Sequence, residues 1–237
     1  MANQSPRTQN SSDTPSGVND PNALRGVETS PESHFRDLER VVLEDDRIRR
    51  SLMRISHEVL ESNSDVESLY IVAIPNGGVP LGRLLVENIE SLAQVRPGMG
   101  ILDTTLYRDD LAIRGTRPRL RKTEMPSTVD DRIVILVEDV VNTGRTIRAA
   151  MDALMDFGRP RAVKVVALVD RGHRELPIKI DYVGKNIPTQ SGETVVLHVD
   201  ESPPEMDSGE PLLKVVVRSV GEASGTDEAS SVLRRRE

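Results

Sequence analysis

Glu138 and Asp139 are adjacent carboxylates at the end of an apolar run, residues 133–137. Asn142-Thr143-Gly144-Arg145-Thr146 follows, and then a helical pattern with Ile147, Met151, Leu154 and Met155 on one face. A strand that delivers two acids to its C-terminal edge, and then a small-residue turn into a helix, can hold a phosphorylated sugar. The turn's N–H groups and the positive end of the helix suit a phosphate. The acids can accept from vicinal ribose hydroxyls or face a hydrated Mg²⁺.

These residues need a scaffold, and helix and strand signals alternate along the chain. Residues 45–61 carry Ile48, Leu52, Ile55 and Val59 at helical spacing, with Asp45 or Asp46 as N-cap. Residues 69–74 read as a short strand, 75–78 (Pro-Asn-Gly-Gly) as a turn, and 80–93 as a helix with Leu81, Leu84, Leu85 and Ile89 inward. A strand over 100–107 precedes a long polar, basic, Pro-interrupted loop over 109–129. Past the acids and their helix come a strand over 162–169 and an apparent hairpin of 193–199 with 212–218. There is no internal repeat. The alternation predicts an α/β fold with right-handed crossovers and a mostly parallel sheet flanked by helices. Ligands bind beyond the carboxyl ends of such strands, so the loops 75–78, 138–146 and 170–174 should converge.

The 237 residues suffice for one domain with tails. Residues 1–33 and 221–237 are polar and poor in large apolar side chains, which predicts disorder on either side of a domain over 34–220. A net charge of −7 gives no bulk basic signature, so any nucleic-acid contact needs a local patch. No cysteine is present, which removes disulfides and thiolate metal sites and fits a reducing compartment. No apolar run reaches the roughly 18 residues of a membrane span. The N-terminus lacks an apolar signal core, so the expected setting is cytoplasmic, with no membrane partner.

VILVEDVVNTGRT (134–146) resembles the phosphoribosyl-diphosphate (PRPP) motif of type I phosphoribosyltransferases. Arg54-Ile55-Ser56-His57-Glu58, DTTLYRDDL (103–111), GRTIRAAMDALMDFGRP (144–160) and LVDRGHRELPIKIDYVGKNIPT (168–189) narrow this further. Together they resemble the PyrR family of pyrimidine-operon attenuation regulators that are also uracil phosphoribosyltransferases. The resemblance implies the type I phosphoribosyltransferase fold, with a small hood and a mobile lid loop. The implied reaction takes uracil and PRPP to UMP and diphosphate, with Mg²⁺ as cofactor and no dedicated protein metal site.

The resemblance also implies residue roles. Glu138 and Asp139 would hold the ribose hydroxyls, and Asn142, Thr143, Gly144, Arg145 and Thr146 the 5′-phosphate. Asn76, Gly77 and Gly78 occupy the pyrophosphate loop, where relatives commonly carry Thr-Arg-Gly. The loop therefore lacks a charge-assisted contact to diphosphate, worth roughly 10²–10³ in rate on the scale of one oxyanion donor. A protein short only of that charge should gain activity from Gly77→Arg, and a PRPP or nucleotide sensor without turnover is the alternative reading. Arg108 and Asp109 would be catalytic, at the start of a lid carrying Arg114, Arg117, Arg119, Arg121 and Lys122. Without the resemblance, that stretch reads as a solvated basic loop. Asp170 and Arg171 would flank the base, with Tyr182 or Val183 of the hood (181–189) packing on the pyrimidine. Purine-type relatives often have an acid where this chain has Asn142; an amide cannot act as a general base, which disfavours purines.

In the family, a basic concavity between subunits binds attenuator RNA. The matching positions are Arg54, His57, His173, Arg174, Lys179 and Lys185. They imply leader RNA as a partner, bound with strong salt dependence. A homodimer or higher homo-oligomer is implied as well. Taken alone, His57 reads equally as a partly buried helix histidine.

Overall fold

The computed structural model describes residues 38–75, 77–109, 122–190, 192–200 and 211–219. The expected tails, Asn76 and the lid arginines lie outside them. The strands are β1 (Leu38–Leu43), β2 (Leu69–Ala73), β3 (Gly98–Ile101), β4 (Ile133–Val141), β5 (Ala162–Asp170), β6 (Tyr182–Asn186), β7 (Glu193–Asp200) and β8 (Leu212–Ser219). The helices are α1 (Asp45–Ser62), α2 (Gly78–Ala93) and α3 (Arg145–Leu154).

Five strands form a wholly parallel sheet in the order β3-β2-β4-β5-β6. The chain winds outward in one direction from β2 to β3 and in the other from β4 to β6. The chain therefore leaves the adjacent strands β2 and β4 toward opposite edges of the sheet, the arrangement that forms a crevice at the switch point of doubly wound sheets. Such strands are covered on both faces, and β2 is buried at every position. One face takes Leu69, Ile71, Ile135 and Val137 against Ile48, Leu52 and Ile55 of α1 and Leu81, Leu85 and Ile89 of α2. The other takes Tyr70, Val72, Val134 and Leu136 against Ile147, Ala150 and Leu154 of α3. Each fully buried Leu or Ile contributes about 1.5–3 kcal/mol of transfer free energy.

Several boundaries differ from expectation. Glu44 is the N-cap of α1, and Asp45 and Asp46 lie in its first turn, where they oppose the helix's positive end. Helix α2 starts at Gly78 rather than at residue 80, because Pro80 in a first turn gives up only an N–H that has no intrahelical partner. The strand expected over 100–107 is β3, ending at Ile101. Asp103 then accepts from the Thr105 N–H at 3.0 Å and holds its hydroxyl at 2.5 Å, forming one 3-10 turn over Thr105–Tyr107. Strand β4 does not stop before the acids but continues through them to Val141, because β5 pairs with it as far as Val141↔Asp170. Met155 falls past the end of α3 and is about half exposed, while alanines 149, 150 and 153 fill the buried face.

The segment 181–189 departs most from the expected hood. Residues 182–186 form β6, the fifth strand of the parallel sheet, paired with β5 from Val166↔Tyr182 to Asp170↔Asn186. The expected hairpin is present as β7–β8, and β1 joins it in a separate antiparallel sheet of order β1-β8-β7. This second sheet buries Val195, Leu197, Leu213, Val215 and Val217 against the α1/α2 core, leaving β7 as an edge strand.

Candidate functional site

A cavity of about 820 Å³ opens beyond the carboxyl ends of β4 and β5. Its wall contains Arg108, the continuous run Glu138 to Thr146, Arg171 and Glu175, and it is closed on one side by Thr194 to Leu197 of β7. A side pocket of about 140 Å³ between Pro75, Asp103 to Thr105 and the two acids shares Arg108, Glu138, Asp139 and Thr146. Pro75, Gly77 and Gly78 meet the run 138–146 as predicted, and Arg171, Arg174 and Glu175 come with them.

Strand alternation turns the two acids to different surroundings. Glu138 is buried, and its Oε2 has no hydrogen-bond partner. Burial, followed by the charge of Asp139, pushes its carboxyl up to about 8, against the Thr146 hydroxyl and the positive charges of Arg108 and Arg174. Burial also raises the Asp139 carboxyl, partly offset by the Val140 N–H, which donates to Oδ1 at 2.9 Å. Glu138 lines both pockets, so a ligand donor reaching this desolvated carboxyl would favour its charged form. Asn142 Oδ1 is a second orphaned buried acceptor in the same wall.

Gly144, with φ +90°, breaks the strand direction and opens α3, a conformation that favours glycine. Thr143 Oγ1 accepts from the Arg145 N–H at 3.3 Å, and Arg108 Nη1 donates to Thr146 Oγ1 at 3.0 Å. Three successive carbonyls of the turn face away, toward residues 171–176. Val141 O accepts from the Arg171 N–H (3.0 Å), Asn142 O from Arg174 Nη1 (2.6 Å), and Thr143 O from the N–H groups of Glu175 (3.0 Å) and Leu176 (3.3 Å). Arg145 bridges Asp109 at 2.5 Å and Glu175 at 2.7 Å across the cavity rim.

Gly77 and Gly78 press against β4. A Cβ on Gly77 would meet Asp139 Oδ2 at 2.3 Å, and one on Gly78 would meet the Val137 carbonyl at 2.5 Å. A side chain at Gly77 or Gly78 would force its neighbours to shift, which argues against Gly77→Arg simply restoring a missing charge.

Other expectations are corrected too. Tyr182 is buried on the α1/α2 side of the sheet, its hydroxyl near Asn63 Nδ2 at 3.4 Å and Lys164 Nζ at 3.5 Å, so it cannot stack on a base. Val183 packs against the opposite core and lines neither pocket. Asp170 is held by the Gly172 N–H at 2.8 Å and by Arg174 at 2.9 Å, a bracing role. Asp109 pairs with Arg145 and, at 3.6 Å, Arg148, at the rim. Arg171 does line the cavity, donating to Thr189 Oγ1 (3.0 Å) and Glu193 O (2.6 Å) and so tying β5 to the start of β7. His57 is exposed, not partly buried, as are His173, Lys179 and Lys185. Arg54 reaches the Val183 and Gly184 carbonyls at 2.8 and 3.0 Å, beside Lys185. Thr194 to Leu197 were not foreseen as site residues: their alternation marks a strand, but only the pairing of β7 with β8 carries that strand over the cavity.

A family model described as phosphoribosyl transferase domain matches residues 42–202. The Bifunctional protein PyrR of Pelotomaculum thermopropionicum is 51% identical over 160 residues, covering 68% of this chain and 88% of that protein. The chain belongs to the PyrR family. A second PyrR relative, from Deinococcus radiodurans, is 49% identical over 161 residues with the same coverage. A hypoxanthine phosphoribosyl transferase of Trypanosoma cruzi superposes with a TM-score of 0.57 at 20% identity, covering 78% of this chain and 93% of that one, a likeness of fold. The phosphoribosyl transferase match spans the parallel sheet and both pockets, and the fold is that of the type I phosphoribosyltransferases. No helix among the described residues is long and apolar enough to cross a membrane.

Proposed function

We propose that this PyrR-family chain transfers the 5-phosphoribosyl group of PRPP to uracil and also binds RNA. The carrying observation is the orphaned Glu138 Oε2 beside Asp139, in one wall with the Asn142–Thr146 turn. Ribose hydroxyls would satisfy the acids, and the turn's N–H groups with the start of α3 would take the 5′-phosphate. Uracil N1 bonds to C1′ as the bond from C1′ to diphosphate breaks; diphosphate leaves with the electron pair, and the N1 proton passes to solvent. Positive charge builds on the ribose ring, so exclusion of water and fixed orientation supply most of the acceleration. Arg108, shared by the two pockets, would supply the cation that Gly77 and Gly78 do not. The β7 edge at Thr194 to Leu197 takes over the hood role on the base side.

Mg²⁺ fits as an ion that arrives with PRPP. Among the described residues no cluster of three or more His, Cys, Asp or Glu side chains is arranged for a metal. Glu138 and Asp139 would hold it together with ligand and water oxygens, and when bound it neutralises the diphosphate. Exposed Arg54, His57, Lys179 and Lys185 support the RNA reading, with the chain acting as a homo-oligomer. The test is UMP formation from PRPP and Mg²⁺ with uracil, hypoxanthine and orotate in parallel. Turnover with uracil alone is expected; none at high protein concentration would overturn the enzyme reading. PRPP binding without turnover would favour the sensor, a second reading motivated by the absence of a side chain at Gly77 and Gly78.

A further inference from the structure

We propose that Arg174 is a positioning residue for PRPP: it holds the Asn142–Thr143 peptide so that the Thr143 N–H faces the 5′-phosphate. The inference rests on the PRPP reading above. Resemblance places Arg174 in an RNA surface, but its side chain is about four-fifths buried and its guanidinium is occupied by three segments. Nη1 donates to Asn142 O at 2.6 Å, Nε to Ile178 O at 3.2 Å, and Nη2 pairs with Asp170 at 2.9 Å.

Peptide planarity gives this grip its consequence. In a trans peptide the C=O of one residue and the N–H of the next point in opposite directions. A carbonyl of Asn142 turned to Arg174 therefore turns the Thr143 N–H the other way. The same holds one residue on: the Thr143 carbonyl, held by the Glu175 and Leu176 N–H groups, directs the Gly144 N–H away from that segment. The turn from Asn142 through Thr146 lines the cavity, and Arg174 is not among the residues of its wall. Of the three carbonyls fixed in this way, those of Val141 and Thr143 are held by backbone, and that of Asn142 by a side chain. Arg174 is thus the replaceable part of the cradle. Its planar fork satisfies acceptors in three directions, which a lysine ammonium on a flexible stem cannot reproduce.

The experiment compares wild type, Arg174→Lys and Arg174→Met by calorimetric titration with PRPP and Mg²⁺, and by steady-state kinetics. The loss of one hydrogen bond from a charged donor predicts about tenfold weaker PRPP binding in both variants. The KM for uracil should change by less than twofold. The amide ¹⁵N–¹H signals of Thr143 and Gly144 should respond to PRPP in the wild type and less in the variants. Arg174→Lys keeps charge and most of the volume, so it carries the test if Arg174→Met does not fold. Wild-type PRPP affinity in Arg174→Lys would overturn the inference, as would loss of RNA binding with PRPP affinity intact. A wild-type chain that binds no PRPP overturns this inference together with the PRPP reading, whereas wild-type binding with unaffected variants overturns this inference alone.

Discussion

Gly77 lies so close to Asp139 that an added Cβ would sit 2.3 Å from Oδ2 and 2.6 Å from both Cβ and Cγ of the aspartate. The clash reaches the stem of the side chain, so a rotation of the carboxylate does not relieve it. The loop after β2 and the acid on β4 are therefore one fitted unit, and the glycine is a condition of where Asp139 stands.

The first prediction follows from that contact. Gly77→Ala should displace Asp139 and lower kcat/KM for PRPP by about 10²-fold, the scale of a 1 Å misplacement at a reacting centre. Gly77→Arg should do at least as much damage, despite adding a cation. Steady-state kinetics on both variants are the check, and a gain of turnover in Gly77→Arg would show that the fit is not a constraint.

The second concerns pH. Glu138, with an ordinary value of 4.5, is pushed up to about 8 in the folded chain, chiefly by burial. Between those values the folded state retains a proton that the unfolded chain has released. Stability of the ligand-free protein from this group is therefore fully present below about 4.5 and declines as pH rises through about 8. Glu138→Gln removes that decline, so the difference in Tm between variant and wild type should widen with pH over this window. Hydroxyl donors or Mg²⁺ at the carboxylate favour its charged form, so PRPP should bind more tightly as pH rises toward 8, with proton release measurable in buffers of different ionisation enthalpy.

The elements nearest the site were the most legible in the sequence, for a local reason. The run 133–137 is apolar because β4 is buried on both faces, and the turn at 142–146 declares itself through Gly144 and the helix that follows. β1 gave no such signal. It holds Glu39 and Arg40 beside an exposed Val41, and it is a strand because β8 pairs with it across most of the domain's length. The same non-local cause hid the cavity wall at Thr194 to Leu197. Tyr182 shows the converse error: a flat side chain in a motif suggests stacking on a base, but strand parity turns it to the α1/α2 face. Which face a residue takes depends on strand pairing, which no local window contains.

The third prediction separates the proposed RNA surface from the proposed catalytic one. Arg54 and Lys185 are exposed, Arg54 reaches the Val183 and Gly184 carbonyls that precede Lys185 in β6, and neither lines the cavity. Arg174, from the same expected set, is committed to the turn at Asn142. Arg54→Ala and Lys185→Ala should each weaken binding of the chain's own pyrimidine-gene leader RNA and leave UMP formation within twofold of wild type. A lost phosphate contact should also lower the slope of log affinity against log salt by about 0.7–0.9. Gel shifts over a salt series measure both effects. Unchanged affinity and slope in both variants would remove this face from the RNA surface, whereas a loss of UMP formation in step with RNA binding would mean that the two surfaces are not separable.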